Sequence, residues 1–224
     1  MDCIESIKNK RIGFSVLNWG LGHVTRSVSI IHQLKTQSNQ VFIFCNNEQK
    51  YIFSQYLLDV SFIDHEGYPF KFRGKGNFKR DLFRSLFALY THSKLENGLC
   101  EKYVLRHNLD LLISDQRYGF YSTKVPSIFI THQLKFPLKG VYRIFNKINK
   151  HQILKFGSVW VVDNKINLAG KLSINQSFKN CFNIGHHSRF LLLQKQVSKD
   201  INSVLIVNGP FSYSDYLIDH FSKE

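Results

Sequence analysis

The chain has 224 residues, of which 43% are hydrophobic and 21% charged, a balance that excludes a disordered or fibrous protein and allows a real core. Its 30 lysines and arginines against 16 acidic residues give a formal net charge of +14, which predicts attraction to polyanions such as acidic lipids or phosphorylated small molecules. Four separated cysteines without a C-x-x-C pair argue against structural zinc and a disulfide framework, and they favour reduced thiols in the cytoplasm.

Short apolar runs alternate with longer segments of helical spacing along most of the chain. Strands are predicted at residues 11–17, 40–45, 60–63, 111–113, 127–130 and 159–162. Helices are predicted at residues 24–34, 47–58 and 141–156, with one or two more within residues 78–105. This alternation predicts an α/β fold with a doubly wound, Rossmann-like parallel sheet and helices on both faces.

The pattern changes towards the end of the sequence. Residues 168–189 are irregular and are typical of a connector, whereas 203–207 predict a new strand and 214–221 a helix. One strand and one helix cannot bury their own apolar faces, so they either pack on the first domain or begin a second one. We therefore expect an N-terminal domain at residues 1–165, a connector at 166–202, and at 203–224 the start of a second domain that is largely missing.

The glycine-containing loop after the first predicted strand is the first candidate site. Gly20 and Gly22 allow a tight turn and close approach to a ligand, and the helix N-terminus behind them favours an anion or an oxyanion. His23 falls in the first turn of that helix, where the helix dipole disfavours a charged imidazole, so we expect a neutral ring that can accept a proton. The structural alternative is a capping histidine on an ordinary turn. The loop lacks the third glycine of the dinucleotide fingerprint, which argues against NAD.

Two later strand ends carry further polar residues. Ligands in open α/β sheets bind outside the carboxyl ends of the strands, so these residues are expected at the edge that carries His23. Asp115 is placed to orient His23 and to stabilise its protonated form, unless it caps a helix or pairs with Arg117. His132 and Gln133 follow a later strand and could donate hydrogen bonds to a polar ligand, unless they serve only loop packing.

The charged residues are unevenly distributed along the chain. Between residues 116 and 162 there are eight lysines and arginines and no acidic residue. On the helical segment there, a basic face opposes an apolar face, which predicts a membrane-surface patch formed by Lys139, Arg143, Lys147 and Lys150. The structural alternative is a solvated face over core residues. No RNA-binding or zinc-finger signature is present, and we expect no nucleic-acid partner.

Taken together, three segments resemble the N-terminal domain of GT-B glycosyltransferases, and most closely the MurG-like and bacterial UDP-glycosyltransferase-like proteins. These segments are residues 18–26 (NWGLGHVTR), 114–119 (SDQRYG) and 128–133 (IFITHQ). Residues 168–173 and 184–190 also resemble the inter-domain segment of this group, and 204–210 the start of its C-terminal domain.

The resemblance implies an enzyme that transfers a hexosyl group from a nucleotide-diphosphate sugar, expected to be a UDP-sugar, to a hydroxyl acceptor that is lipid-linked or part of the cell envelope. It implies no metal or other cofactor. It also implies that His23 is the general base and that Asp115 assists it. We expect the acceptor to contact Asn18, Gly20, Gly22, Arg26, Arg117, Tyr118, His132 and Gln133.

Because the predicted second domain comprises only a strand and a helix, we expect most of the donor site to be missing, which leaves three alternatives open. The chain could be a membrane-associated acceptor-binding subunit that pairs with a separate donor-binding chain, or an inactive truncated remnant. It could also be a sugar-nucleotide epimerase, since such enzymes share the GT-B fold. A cytoplasmic location is predicted, with peripheral attachment to the inner face of the membrane as a further option.

Overall fold

The computed structural model describes residues 4–70, 78–136, 140–164, 170–174 and 178–192, without the side chains of residues 78–83, 141, 142 and 171. Its strands are β1 Arg11–Val16, β2 Gln40–Cys45, β3 Ser61–Asp64, β4 Leu111–Asp115, β5 Ser127–Thr131, β6 Ser158–Val161 and β7 Cys181–Asn183. Its α-helices are α1 Leu21–Lys35, α2 Asn47–Phe53, α3 Phe78–His107 and α4 Ile144–Ile153. Short 3-10 helices occur at Ile4–Ser6, Gly140–Arg143, Gly170–Leu172 and Arg189–Leu192.

The strands form one parallel sheet in the order β3-β2-β1-β4-β5-β6-β7. The direction of winding reverses between β1 and β4, because β2 and β3 extend to one side of β1 and the later strands to the other. The predicted doubly wound, Rossmann-like parallel sheet is thereby confirmed. Open sheets of this kind bind ligands in the crevice at the reversal, outside the carboxyl ends of the strands.

Alternate residues of the central strands face two different apolar layers, which explains why these strands are apolar throughout. In β2, Val41 and Ile43 belong to the core cluster that includes the buried face of α1. Phe42 and Phe44 point to the other side and pack with Val104 of α3. In the described part of the chain, the sheet is therefore covered by helices on both faces.

The sheet extends further along the chain than the sequence pattern predicted. Residues 168–189 were expected to be an irregular connector, but Cys181–Asn183 form strand β7 and pair with β6. A strand of three residues at the edge of a sheet is too short to show an apolar alternation. After β7, Ile184 and Leu192 pack against the core cluster beside α1, so this segment folds back onto the domain.

Several predicted features fall outside the part of the chain that the structure describes. Residues 193–224, with the predicted start of a second domain, are among them, and so are residues 166–169 and 175–177 of the predicted connector. The three domain boundaries therefore stay predictions. Within the described ranges, none of the helices combines the length and the hydropathy that crossing a bilayer requires.

Candidate active site

The loop after β1 brings two polar side chains of α1 to the crevice at the reversal of strand order. Gly20 precedes the helix with a φ of 96°, a conformation that favours glycine over any residue with a side chain. Because α1 begins at Leu21, His23 lies in its first turn and Arg26 follows one turn later. Gly20 and Gly22 are exposed, and the space around both is open.

Asp115 ends strand β4 and is completely buried. Its carboxylate accepts hydrogen bonds from Arg26 Nε at 2.7 Å, from Arg26 Nη2, and from Ser27 Oγ at 3.2 Å. Its Oδ1 atom also lies 3.0 Å from His23 Nδ1. Burial alone would raise the pKa of this carboxyl, but the charge of Arg26 and the contacts with His23 outweigh it and hold the pKa well below its usual range. Asp115 is therefore an ionised carboxylate in the interior.

Arg26 links this carboxylate to a second histidine. Its Nη1 atom lies 2.9 Å from Nδ1 of His132, the residue that follows β5. The ring centroids of His23 and His132 are 6.2 Å apart. Burial lowers the pKa of His132 to about 4, with further lowering by the positive charge of Arg26, so this ring is neutral at neutral pH. We call His23, Arg26, Asp115 and His132 the crevice cluster.

The crevice cluster can hold and move a proton. A carboxylate next to Nδ1 of His23 orients the imidazole and stabilises its protonated form, and with the proton on Nδ1 the Nε2 lone pair is free to accept another proton. Arg26 Nη2 also lies 2.7 Å from the same Nδ1, and a guanidinium can only donate. Asp115 and Arg26 therefore compete for this nitrogen: Asp115 favours a proton on Nδ1, whereas Arg26 favours a lone pair there.

Arg117 belongs to a second polar network, which is buried behind the loop after β3. Its side chain has no exposed area; Nε donates to Glu96 Oε1 and Nη2 to the carbonyl oxygen of Glu66, both at 2.6 Å. Glu96 also contacts His65 Nε2 at 2.9 Å and accepts a hydrogen bond from Tyr68 Oη at 2.7 Å. Among the described residues nothing accepts a hydrogen bond from Arg117 Nη1. We call Glu96, Arg117, His65 and Tyr68 the buried network.

The other predicted acceptor contacts lie in several different surroundings. Asn18 Oδ1 accepts a hydrogen bond at 2.8 Å from the backbone N–H of Tyr68, which ties the loop after β1 to the loop after β3. Tyr118 Oη donates to Asn149 Oδ1 at 2.7 Å and so joins the contacts with α4. Gln133 is half-buried, and its backbone N–H donates to Thr131 Oγ1 at 2.9 Å.

The structure thus brings four of the predicted residues together, since His23, Arg26, Asp115 and His132 form the crevice cluster. The side chains of Asn18, Arg117 and Tyr118 are instead hydrogen-bonded to other parts of the chain. The alternative expectation that Asp115 pairs with Arg117 is not met, because Asp115 pairs with Arg26. The roles of all these residues stay predictions.

Several polar residues were missed from sequence, namely Glu96, His65 and Tyr68 of the buried network, and Gln116 beside Asp115. Glu96 lies in the middle of the long helix α3, where an acidic residue is ordinary and no local pattern marks it as buried. Gln116 follows Asp115 with a φ of 63° and donates from Nε2 to Thr131 Oγ1 at 2.6 Å. A non-glycine residue in this left-handed conformation is uncommon and is enriched at functional sites, but glutamine gives no sequence signal for it.

Acid is expected to destabilise the protein in two steps. His65 and His132 have lowered pKa values, so the unfolded chain binds their protons first and stability declines as the pH falls below 6.5. Burial raises the pKa of Glu96, but Arg117 and His65 outweigh it and lower this pKa from 4.5 to about 2. Its stabilising contribution is complete above pH 4.5 and is lost as the pH falls towards 2, a loss of up to about 3 kcal/mol.

Urea unfolding at a series of pH values measures this dependence. Glu96→Gln should flatten the slope of unfolding free energy against pH in the lower window. An equal slope in the lower window for the variant and the parent protein would contradict the assignment to Glu96.

No protein-family profile and no curated protein matches the sequence. The glycotransferase of kitacinnamycin matches in structure with a TM-score of 0.51 at 11% identity, over 96% of this chain and 64% of that one. Arabidopsis thaliana UGT89C1 complexed with quercetin matches with a TM-score of 0.52 at 10% identity, over 94% of this chain and 55% of that one.

The fold is that of the GT-B glycosyltransferases. The predicted resemblance is thereby confirmed at the level of the fold, which is what a likeness at 10–11% identity establishes. MurG of Acinetobacter baumannii also matches, with a TM-score of 0.42 at 11% identity over 78% of this chain and 44% of that one. The chain spans 64% and 55% of the two glycosyltransferases that it resembles more strongly.

Proposed function

We propose that this chain is the acceptor-binding part of a glycosyltransferase that moves a hexosyl group from a nucleotide-diphosphate sugar, with a UDP-sugar as the expected donor, to a hydroxyl group. The observation that carries the proposal is the 3.0 Å contact between His23 Nδ1 and Asp115 Oδ1 at the reversal of strand order. A histidine with an ionised partner stands where an open α/β sheet binds its ligand, in a fold shared with glycosyltransferases.

The reaction needs a base on the acceptor side, since a neutral hydroxyl is a poor nucleophile. His23 Nε2 takes the hydroxyl proton while Nδ1–H donates to Asp115, whose low pKa keeps it ionised as the imidazolium forms. The hydroxyl oxygen then bonds to the anomeric carbon, and the bond from that carbon to the diphosphate oxygen breaks. The nucleoside diphosphate leaves with the bonding electron pair, and the proton passes from His23 to solvent.

The donor side of the reaction is assigned to a different part of the enzyme. The leaving diphosphate needs cations and backbone dipoles aimed at its developing charge. The two glycosyltransferases of this fold are longer than the chain, which spans 64% and 55% of their lengths. We therefore propose that a donor-binding domain, or a separate donor-binding chain, completes the site. No metal or other cofactor has a role in the proposed proton transfer, because the imidazole performs it.

Glycosyl transfer by the full-length natural protein tests this proposal. The protein is incubated with a panel of UDP-sugars and hydroxyl acceptors, beginning with quercetin because UGT89C1 was solved with it. Mass spectrometry is expected to show a glycoside formed together with UDP. Turnover of the nucleotide sugar without an acceptor would instead support an epimerase, and an absence of product together with an absence of acceptor binding would also overturn the proposal.

We further propose that the basic face of α4 holds the protein at the inner, cytoplasmic face of the membrane. Arg143, Lys147 and Lys150 are exposed and line a cavity of about 610 Å³. Ile144 and Ile148 on the same helix are 57% and 49% exposed. An anionic lipid surface would neutralise the cations and cover the apolar side chains. The fourth residue of the predicted patch, at position 139, lies outside the described residues.

Sedimentation with lipid vesicles tests the membrane contact. The protein is expected to bind vesicles that contain phosphatidylglycerol, to bind phosphatidylcholine vesicles weakly, and to lose binding at high salt. Lys147→Glu/Lys150→Glu should abolish the binding. The matched control is Lys102→Glu/Arg106→Glu, which makes the same change of charge at exposed positions of α3. Equal binding by the two double variants would contradict a specific role for α4.

A further inference from the structure

The hydrogen bonds of Arg26 position Asp115 and also constrain the ring of His132. The Nε and Nη2 atoms of Arg26 hold both oxygens of that carboxylate, and Nη1 lies 2.9 Å from His132 Nδ1. The side chain is 13% exposed, so the planar guanidinium is packed in place as well as held by two hydrogen bonds. A guanidinium carries only donors and does not lose its proton in proteins. The atom that faces Nη1 must therefore be an acceptor.

This requirement sets the protonation state of His132. To accept from Arg26, its Nδ1 must carry a lone pair, and a neutral imidazole in that state carries its proton on Nε2. A proton on Nδ1 would place two donors face to face at 2.9 Å, with a cation beside them. Burial and the charge of Arg26 both disfavour the imidazolium form and lower the pKa of His132, which agrees with a neutral ring.

We infer that Arg26 is a positioning residue that fixes the proton of His132 on Nε2, so that His132 donates a hydrogen bond to an oxygen of the acceptor beside the hydroxyl that reacts at His23. The inference rests on the proposed function for the identity of the ligand, and on the geometry of Arg26 and His132 for the position of the proton. Within the described part of the chain, no protein atom accepts a hydrogen bond from His132 Nε2.

The two histidines then have different chemical roles in one crevice. His132 Nε2 can only donate. At His23 the donor Arg26 Nη2, 2.7 Å from Nδ1, is opposed by the acceptor Asp115 Oδ1 at 3.0 Å, and Nε2 accepts a proton in the state that carries the proton on Nδ1. Their ring centroids are 6.2 Å apart, so hydrogen bonds of about 2.8 Å from the two rings can reach oxygens on neighbouring carbon atoms. The acceptor class that fits is a molecule with adjacent oxygens, of which one is the reacting hydroxyl and the other carries a lone pair for His132. Sugar diols and catechols both have this pattern.

The position of the protons can be read by NMR on this chain without any catalytic activity. In protein labelled with ¹⁵N-histidine, long-range ¹H–¹⁵N spectra distinguish the two neutral tautomers from imidazolium, and His132→Phe identifies the signals of His132. We expect the Nε2–H tautomer of His132 at neutral pH and no protonation of this ring down to about pH 5. A proton on Nδ1, or an imidazolium at pH 6, would overturn the inference.

A variant of Arg26 tests the cause. In Arg26→Met the donor is lost, so His132 should show both tautomers and titrate at a higher pH than in the parent protein. The matched control is Arg106→Met, which removes an exposed arginine from α3 and should leave the signals of His132 unchanged. Should Arg26→Met not fold, the spectrum of the parent protein still decides where the proton lies.

Binding of small probes tests the ligand class. Catechol and phenol differ by one oxygen, and the loss of one hydrogen bond in phenol should weaken its binding by roughly five- to tenfold. His132→Phe should bring the two affinities close together, while equal affinities in the parent protein would contradict adjacent-oxygen recognition.

The NMR signals of His23 test the proposed function separately. A proton fixed on Nε2 of His23 would rule out His23 as the base, but it would not contradict the assigned tautomer of His132.

Discussion

Replacing His23 with alanine is expected to reduce glycosyl transfer by the full-length protein by about 10²–10⁴-fold, which is the contribution of a general base. The imidazole is the group in the crevice cluster with both an ionised partner on Nδ1 and a second ring nitrogen for the acceptor hydroxyl. Steady-state kinetics with a fixed UDP-sugar and varied acceptor measure the effect. The loss should appear mainly in kcat, because a base acts on the transition state more than on ground-state binding.

His32→Ala is the matched control for this substitution. His32 lies on the same helix α1 and is exposed, so its removal should leave both the fold and kcat unchanged. Asp115→Asn should also lower kcat, because an amide cannot stabilise the imidazolium that forms during the reaction. Full turnover by a folded His23→Ala protein would refute the assignment of the base, even if the chain belongs to a glycosyltransferase.

The second large effect concerns stability. Arg117→Met is expected to lower the free energy of unfolding by about 3–5 kcal/mol, since it leaves the carboxylate of Glu96 buried without its cation. Glu96 is 1% exposed and still contacts His65 and Tyr68, but neither of these supplies a permanent positive charge. Urea unfolding at neutral pH measures the change. Arg106→Met at the exposed end of α3 is the control and should cost less than about 0.5 kcal/mol.

A double variant separates loss of the ion pair from loss of packing. Arg117→Met/Glu96→Gln removes both charges, so it should be more stable than the sum of the two single losses predicts, because the unpaired carboxylate is gone. Strict additivity of the single effects, or a cost below about 1 kcal/mol for Arg117→Met, would show that the pair does not hold the buried network together.

The buried network also has a structural link to the crevice. Tyr68 donates to Glu96 through its side chain, and its backbone N–H donates to Asn18 in the loop that leads to α1. Gly67 lies so close to this loop that an added Cβ would meet Asn18 Nδ2 at 2.3 Å. Loss of Arg117 should therefore loosen the approach to His23 as well as the core.

Most of the fold could be predicted from the pattern of residue types, because the central strands are mostly apolar and the helices carry their apolar residues at helical spacing. Strand β7 could not, since three residues at a sheet edge are too few to show any period. The association of His23, Asp115 and His132 was also predictable in outline. Each follows or ends a strand, and parallel strands bring their carboxyl ends to one edge.

The partners of the two arginines were decided only by the tertiary structure. Both Arg26 and Arg117 were predicted to contact the acceptor, with Arg117 also an alternative partner of Asp115, whereas the structure pairs Arg26 with Asp115 and Arg117 with Glu96. These partners are 89 and 21 residues away along the chain. The reason is physical: local spacing determines which face of an element is apolar, but the partner of a buried charge depends on which element packs against it. The sequence by itself determined the sheet and the edge that bears the site, and packing decided which charges remain available to a substrate.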